Sequence, residues 1–289
     1  MTTSLVTAEN QFVDVDGVRL AYRQIGSDTG IPLVMLNRYQ GSIDDWDPAV
    51  VDRLAVERRV IVFDNAGIGY SGGEVPPTIR EMAEVAIRFV ETLGLTKIDL
   101  LGFSLGGFIA ERFTLTRPDL VRYLVLVGTG GGGGDGADYS TVDEVAKLMA
   151  QPKRSIETTQ TLFFRRDAAG LEDAQAYWNR THTSRRGPEA DATPAAKKVQ
   201  LEALLAVTVG GEDSPLSELE RIEQPTLVVN GDNDFMVPTV NSYLISQKIP
   251  HAQLIIYPDS AHASLFQYPE TFSRDVLAFL RAQESGGLR

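Results

Sequence analysis

The chain has 289 residues, 43% of them hydrophobic, which is sufficient for a sizeable buried core, and it contains no cysteine. Its formal net charge of −12 argues against nucleic acid or an anionic membrane as a partner, because like charges repel. Without cysteine there are no disulfides, thiolate zinc sites or cysteine nucleophile.

The first 130 residues alternate between strand and helix patterns. Apolar runs and alternating patterns predict strands at residues 11–15, 18–24, 31–36, 59–63, 97–102 and 121–127. Apolar residues at helical spacing predict helices at residues 78–93 and 105–116. This alternation indicates βαβ units and therefore an α/β fold with a mostly parallel central sheet flanked by helices.

Five consecutive glycines, residues 130–134, interrupt the alternation, and such a run suits a flexible loop or hinge. The block that follows, to about residue 221, has helical patterns and no evident strand. The alternation then resumes, with strands at residues 225–230 and 253–257 and helices at residues 240–249 and 269–282. We therefore predict one α/β core formed by residues 1–130 and 223–289, with residues 131–222 inserted as a helical cap.

The strongest local signal for chemistry is the pentapeptide GFSLG at residues 102–106. It has the G-x-S-x-G pattern, and it stands where a predicted strand meets a predicted helix. Small flanking residues permit the tight, strained turn that holds Ser104 at the edge of the sheet. The start of the helix supplies free N–H groups, including that of Leu105. The alternative interpretation is a strand–helix turn without catalytic meaning.

A serine hydroxyl needs an adjacent base, and the chain offers three histidines. His262 follows the last predicted strand, at the carboxyl edge of the sheet, where sites form in open α/β sheets. His251 precedes that strand and belongs to the opposite edge. His182 lies in the helical block, where we expect a surface position, with substrate contact as the alternative. We predict that His262 is the base.

The base in turn needs a carboxylate that orients it. Asp232 and Asp234 both follow the predicted strand 225–230, at the correct edge of the sheet. The loop after the strand that ends at Val127 contains glycines instead of an acid. The chain order Ser, Asp, His is the order found in α/β hydrolases. These observations leave Asp232 and Asp234 as the two candidates.

The chain resembles the α/β-hydrolase superfamily over nearly its whole length, most of all its capped bacterial carboxylesterase, lactonase and perhydrolase-like branch. Residues 63–71, FDNAGIGYS, resemble its D-x-R-G-x-G-x-S turn, and His262 with residues 269–270 resembles its H-x-x-x-x-x-x-P-E ending. Residues 231–238, GDNDFMVP, resemble its G-x-x-D-x-x-V-P acid loop. This last match implies that Asp234 is the acid and Asp232 a supporting residue.

The segment NRYQG at residues 37–41 departs from the family, which usually has His-Gly there. By position, Tyr39 matches the residue whose backbone N–H joins that of Leu105 in an oxyanion hole. The backbone N–H of Arg38 is an alternative donor. Because a backbone donor does not depend on the identity of its side chain, the departure is compatible with an oxyanion hole.

The resemblance implies hydrolysis of a small to medium, largely apolar carboxylic ester or lactone through an acyl-enzyme, with neither a metal nor an organic cofactor. Carbon–carbon-bond hydrolases and perhydrolases are alternatives, and so is a receptor-like binding protein with slow turnover. The large apolar residues that could line the substrate site are Phe103, Phe163, Phe164 and Trp178. Core packing is the competing interpretation for the three that lie in the helical block.

The expected partner is a small-molecule ester or lactone, with no nucleic acid and no membrane. The first residues lack the basic and apolar regions of a signal peptide, and the longest apolar runs are too short to span a bilayer. Together with the absence of cysteine, these features predict a cytoplasmic protein. The oligomeric state stays open.

Overall fold

A computed structural model describes residues 4–151, 155–184, 192–211 and 214–286. Its strands are β1 (Gln11–Val15), β2 (Val18–Ile25), β3 (Leu33–Leu36), β4 (Val60–Phe63), β5 (Ile98–Phe103), β6 (Val121–Val127), β7 (Thr226–Gly231) and β8 (Ala252–Tyr257). Its α-helices are α1 (Pro48–Leu54), α2 (Ile79–Thr92), α3 (Leu105–Thr116), α4 (Val142–Met149), α5 (Ile156–Phe163), α6 (Ala168–Ser184), α7 (Pro194–Thr208), α8 (Val240–Lys248), α9 (Ser264–Gln267) and α10 (Pro269–Glu284).

The eight strands form one sheet in the order β1-β2-β4-β3-β5-β6-β7-β8. The strands β1 and β2 pair antiparallel, β2 pairs antiparallel with β4, and the remaining pairs are parallel. Strands β3 to β6 are almost wholly buried, as their continuous apolar runs require. The predicted fold class, a mostly parallel α/β sheet flanked by helices, is confirmed.

The parallel register places the ends of the central strands at one edge. Phe103 of β5 pairs with Val127 of β6, and Gly231 of β7 pairs with Tyr257 of β8. Loops that leave these strands therefore start close together. This register brings residue 104 and the segments after residues 231 and 257 to the same edge of the sheet.

Residues 42–58 lie between two predicted strands and were assigned no element from the sequence, but they contain two short helices. A 3-10 helix at Ile43–Asp45 is followed by α1, whose first turn accepts Pro48 at N1. The side chain of Asp47 caps α1 by accepting the N–H of Ala49 at 2.9 Å. The signal was present in the sequence as Asp-Pro, but the helix is too short for its periodicity to be evident.

Helices α4 to α7 lie in the insertion between β6 and β7. Helix α6 is attached to the rest of the fold by Arg180, whose guanidinium binds both oxygens of the buried Asp47 at 2.6 to 2.9 Å. Tyr177, one turn earlier, stacks on Phe266 with ring centroids 4.7 Å apart. In the described part of the chain, no helix combines the length and apolar character needed to cross a bilayer.

The glycine run has a packing explanation. A Cβ at Gly130 would lie 2.3 Å from the Tyr139 hydroxyl oxygen, and one at Gly133 would lie 2.4 Å from the Thr208 carbonyl oxygen. Neighbouring chain therefore approaches these residues too closely for any side chain. The sequence predicts a flexible loop or hinge here. In the structure, close packing accounts for glycine at residues 130 and 133, and positive φ angles of 90° and 157° favour it at residues 132 and 134.

Candidate active site

Ser104 lies at the turn between β5 and α3 in a strained conformation, with φ 55° and ψ −117°. Only a few per cent of non-glycine residues have a positive φ. A Cβ at Gly102 would lie 2.3 Å from Gly106 O, and a Cβ at Gly106 would lie 2.2 Å from Leu36 O. Both glycines of the pentapeptide are thus required by contact, and the strain of about 1–3 kcal/mol is held by the packed strand and helix on either side.

His262 and Asp234 form a buried pair at the same edge of the sheet. The Nδ1–H of His262 donates to Oδ2 of Asp234 at 2.8 Å, and both side chains are fully buried. The other ring nitrogen, Nε2, has no hydrogen-bond partner among the described residues. The carboxylate therefore orients the imidazole and leaves Nε2 able to accept a proton.

The two aspartates of the acid loop have separate partners. Asp234 Oδ1 accepts the backbone N–H groups of Met236 and Val237 at 2.8 and 2.9 Å, which fixes the carboxylate that faces His262. Asp232 accepts the backbone N–H groups of Asp259 and Ser260, both at 3.1 Å. Asp232 thus joins the acid loop to the loop that carries the histidine.

The other two histidines lie elsewhere. His251 is exposed between α8 and β8. His182 is exposed on α6, where its ring stacks on Trp178 with centroids 3.9 Å apart. Of the three histidines, His262 alone is buried beside a carboxylate. Within the described ranges, no group of three or more acidic or histidine side chains is arranged to hold a metal ion.

Two cavities adjoin Ser104. The empty volume, counted to the open mouth, is about 440 Å³ for the first cavity and about 430 Å³ for the second. Ser104, Met149 and Met236 border both cavities. The first is bordered by polar as well as apolar side chains, among them Arg38, Gln40, Thr158, Leu162 and Phe163. The second has Phe108, Val142, Val145, Leu201 and Leu204 among its walls, together with the polar Tyr139 and Thr208. Ser104 therefore stands between two cavities whose walls are mostly apolar.

The four aromatic candidates for the lining have different positions. Phe163 borders the first cavity, and its carbonyl oxygen accepts the N–H of Ala263 next to the histidine. Phe103 is buried beneath the site, 5.2 Å from the His262 ring centroid. Phe164 borders a separate surface groove, and Trp178 is half-buried against His182, so neither contacts the Ser104 cavities. The cavity-lining methionines, Met149 and Met236, gave no sequence signal.

In the loop at residues 37–41, the backbone N–H of Tyr39, the predicted oxyanion donor, has no acceptor among the described residues. The N–H of Arg38 donates to Asn37 Oδ1 at 2.8 Å, so Arg38 is not available as the alternative oxyanion donor. The N–H of Gln40 donates to Gln200 Oε1 at 2.9 Å. Among the described residues, the backbone N–H groups of Tyr39 and Leu105 have no protein acceptor.

Side chains of the loop bind the inserted helices. The Tyr39 hydroxyl donates to Lys197 O on α7 at 3.1 Å, and the Gln40 amide donates to Met149 O on α4 at 3.1 Å. Gln200 of α7 was not predicted as a site residue, because a single glutamine on a helix carries no pattern. Its role depends on a loop 160 residues away.

The buried carboxylate of Asp64 binds the chain just after this loop, at the start of the 3-10 helix. Asp64 Oδ1 accepts the N–H of Ile43 at 2.6 Å and its Oδ2 accepts the N–H of Tyr70 at 2.8 Å. Burial raises the pKa of Asp64 to about 7, although these two hydrogen bonds oppose the rise. The nearby Asp44 carboxylate adds to the rise, while Arg23, 2.7 Å from Asp44, lowers it. The residues of the FDNAGIGYS segment thus brace the start of the 3-10 helix.

The family profile described as alpha/beta hydrolase fold matches residues 31–269. The match covers most of the chain, including both halves of the core and the inserted helices. The chain belongs to the α/β-hydrolase family. The predicted superfamily is thereby confirmed, and membership supports hydrolase activity.

Individual relatives are similar over nearly their full length. A putative carbamate hydrolase, RutD, from Rhizobium rhizogenes is 28% identical over 87% of this chain and 93% of its own. A pimeloyl-[acyl-carrier protein] methyl ester esterase from Nitrosomonas europaea is 30% identical over 84% of this chain and 93% of its own. An alpha/beta hydrolase fold protein from Chitinophaga pinensis superimposes with a TM-score of 0.88 and 34% identity, covering 96% and 98% of the two chains.

Proposed function

We propose that the protein is a serine hydrolase that cleaves a small to medium carboxylic ester or lactone through an acyl-enzyme intermediate. Ser104 is the nucleophile, His262 the general base and Asp234 the acid that orients it. The observation that carries the proposal is the buried His262–Asp234 pair at 2.8 Å, with its Nε2 unpartnered among the described residues. The strained serine stands at the same edge of the sheet.

The chemistry follows from these positions. Ser104 Oγ attacks the carbonyl carbon while His262 Nε2 takes the hydroxyl proton, and the imidazolium is stabilised by Asp234. Collapse of the tetrahedral intermediate breaks the carbon–oxygen bond, and His262 returns the proton to the leaving alcohol. A water molecule then attacks the acyl group by the same route and releases the acid. His262 Nε2 has no hydrogen-bond partner among the described residues, so the proposed mechanism requires its hydrogen bond to Ser104 Oγ to form when substrate binds.

Two backbone donors are suited to the oxyanion. The N–H groups of Tyr39 and Leu105 lack protein acceptors among the described residues, and Leu105 begins a helix whose N-terminus favours negative charge. Such donors stabilise the charge that develops on the carbonyl oxygen in the transition state. The proposed oxyanion hole is therefore formed by Tyr39 and Leu105.

The inserted segment, residues 131–222, is proposed to act as a cap over this site. Its helices supply Met149 from α4, Phe163 from α5 and Leu201 from α7 to the cavity walls. The walls are predominantly apolar, so a bound substrate would displace water from them, which would strengthen the electrostatic interactions at Ser104. A largely apolar ester or lactone of modest size fits these walls.

Covalent labelling tests the nucleophile. Wild-type protein is expected to react with a fluorophosphonate at Ser104 and to hydrolyse short aryl esters, whereas Ser104→Ala loses both. The loss in kcat is on the order of 10⁴ to 10⁶. Ser264→Ala is the matched control, because Ser264 is also buried and lies two residues after the histidine, at the start of α9. Unchanged ester hydrolysis in Ser104→Ala would refute the assignment.

The substrate panel should distinguish classes of leaving group. The Nitrosomonas relative is named as a methyl ester esterase and the Rhizobium relative as a putative carbamate hydrolase. Matched methyl esters, lactones and carbamates of one acyl size therefore belong in the panel. We expect the ester or lactone to have the highest kcat/KM, and a higher value for the carbamate would replace this proposal of substrate class.

A further inference from the structure

The two cavities at Ser104 are similar in size and in lining. Their empty volumes are about 440 and 430 Å³, and both have mostly apolar walls. An ester has one substituent on the carbon side and one on the oxygen side of its scissile bond. A serine at which two separate apolar cavities meet is therefore suited to an ester with two hydrocarbon arms.

The second cavity lies between the core and two of the inserted helices. Phe108 of α3 borders it from the core, while Val145 and Leu204 border it from α4 and α7. Among the described residues, no charged side chain borders this cavity. A charged group of a substrate would find no partner there and would be costly to bury.

Two polar side chains border the second cavity besides Ser104, and both bind the backbone of the protein itself. The Tyr139 hydroxyl accepts the N–H of Gly132 at 3.2 Å. The Thr208 hydroxyl donates to Leu205 O at 2.9 Å. The cavity is therefore suited to an uncharged hydrocarbon chain, whose binding is driven by burial of apolar surface.

The first cavity shares Phe163 with the surroundings of the proposed base, His262. Phe163 borders this cavity but not the second, and its ring centroid lies 5.9 Å from that of His262. Its carbonyl oxygen also accepts the N–H of Ala263, directly after the histidine, at 2.9 Å. Of the two cavities, the first is therefore the one that adjoins the histidine.

The order of the chemical steps assigns the two arms. When the tetrahedral intermediate collapses, the bond to the alcohol oxygen breaks and His262 Nε2 gives its proton to that oxygen, so the alcohol lies next to the histidine. The water that attacks the acyl-enzyme gives a proton to the same Nε2, so it takes the place that the alcohol has left. The acyl arm stays bonded to Ser104 until this second step and needs the other cavity.

We propose that the substrate is an open-chain ester of a hydrocarbon carboxylic acid, with its acyl chain in the second cavity and its alcohol chain in the first. Helices α4 and α7 then set the acyl specificity, and Leu204 is a specificity-determining residue. A lactone joins both parts in one ring and cannot place them in separate cavities. This inference rests on the proposed ester hydrolysis at Ser104 and narrows its substrate class.

Two leucines of the inserted helices provide a matched pair. Of the two cavities, Leu204 on α7 borders only the second and Leu162 on α5 borders only the first. Leu204→Phe and Leu162→Phe therefore make the same change in one cavity each. Neither residue belongs to the proposed triad or oxyanion hole, and a thermal melt shows whether each variant folds.

Isomeric esters with exchanged arms test the assignment on the intact protein. Ethyl hexanoate has its long arm on the acyl side, and hexyl acetate has it on the alcohol side. Their kcat/KM values are measured by pH-stat, and the ratio within one variant cancels any uniform loss of activity. Leu204→Phe should lower the ratio of ethyl hexanoate to hexyl acetate about tenfold, and Leu162→Phe should raise it about tenfold, as for a methylene excluded from an apolar pocket.

Alanine variants serve where a phenylalanine variant does not fold. Leu204→Ala widens the second cavity and should raise kcat/KM for ethyl decanoate relative to ethyl hexanoate about tenfold. Leu162→Ala widens the first cavity and should leave this acyl ratio unchanged.

A lactone tests the open-chain class with the wild-type protein. The ratio of kcat/KM for butyl butanoate to that for δ-octalactone is divided by the ratio of their alkaline hydrolysis rates, which removes intrinsic reactivity. We expect a corrected preference of about tenfold or more for the open-chain ester, because only this ester fills both cavities.

The outcomes separate the two proposals. Shifts opposite to those expected in the phenylalanine variants overturn the assignment of the arms, and ratios that change in neither Leu204 variant overturn the role of Leu204. A corrected preference for δ-octalactone, or none for either compound, overturns the open-chain class. Absence of hydrolysis for every compound together with no fluorophosphonate labelling of Ser104 instead refutes the proposed function itself.

Discussion

The backbone N–H of Gln40 donates a hydrogen bond to Gln200 Oε1 at 2.9 Å, which joins the loop after β3 to helix α7. Gln40 has a positive φ of 58°, an unusual conformation for a residue with a side chain. The side-chain amide of Gln40 donates a hydrogen bond to Met149 O on α4. Two inserted helices thus hold in place the strained residue that follows the proposed oxyanion donor, Tyr39.

This relationship predicts a positioning role for Gln200. Gln200→Leu removes the acceptor and loosens the Tyr39–Gln40 peptide, so we expect kcat to fall about tenfold for all esters with little change in KM. Steady-state kinetics on two esters measure kcat and KM separately, and a thermal melt measures the change in stability. Glu202→Leu, at an exposed position on the same helix, is the control. A fall in melting temperature without a fall in kcat would indicate a structural role only.

The acid loop predicts opposite behaviour for its two aspartates. Asp234→Asn leaves His262 without its charge partner and is expected to lower kcat on the order of 10⁴ while the protein still folds. Asp232→Asn weakens bonds to Asp259 and Ser260, so it should cost about 1 kcal/mol in stability and little rate. Kinetics and denaturant unfolding measure both variants. The reverse result would make Asp232 the acid.

The phenol of Tyr39 is not expected to act in catalysis. Its hydroxyl donates to Lys197 O at 3.1 Å, so it is already engaged with helix α7, and the proposed oxyanion donor is the backbone N–H. Tyr39→Phe should therefore keep kcat within about threefold. A loss of about 10² or more would match removal of an oxyanion donor and would show that the hydroxyl itself contributes.

Adjacent phenylalanines provide a matched pair for the cavity wall. Phe163 borders the first cavity at Ser104, whereas Phe164 packs near Tyr177 and faces a separate groove. Phe163→Ala should raise kcat/KM for a bulky ester relative to a small one. Phe164→Ala should leave that ratio unchanged while lowering the free energy of unfolding by about 3 kcal/mol. Equal shifts of the ratio in both variants would contradict the assignment of the wall.

Asp64 predicts a pH-dependent stability. Its pKa rises from 3.8 to about 7 on burial, so between these values the folded state binds more protons than the unfolded state. The free energy of unfolding should therefore fall as pH rises through this range, by up to about 1.4 kcal/mol per pH unit from this group. Urea unfolding at pH 4.5 to 7.5 measures the slope. Asp64→Asn should lack this component, and identical slopes in both proteins would contradict it.

Local pattern in the sequence was sufficient for most of the architecture. The strands β1 and β6 and the helix α3 begin and end where their patterns predict. For β6 the reason is that a buried parallel strand requires a continuous apolar run. GFSLG predicted the strained turn, since only glycine tolerates the contacts at residues 102 and 106. The residues alone left Asp232 and Asp234 open, and the family resemblance chose the aspartate that the structure places against His262.

What tertiary structure decided lies in contacts between distant segments. Nothing in the sequence near Arg38 indicates that its side chain is buried beside Ser104, or that its Nε lacks an acceptor among the described residues. The same holds for Gln200, and for the separation of Phe163 from Phe164. Hydrophobic periodicity reports which face of an element is buried, but the partner on that face depends on how the inserted helices pack over the sheet.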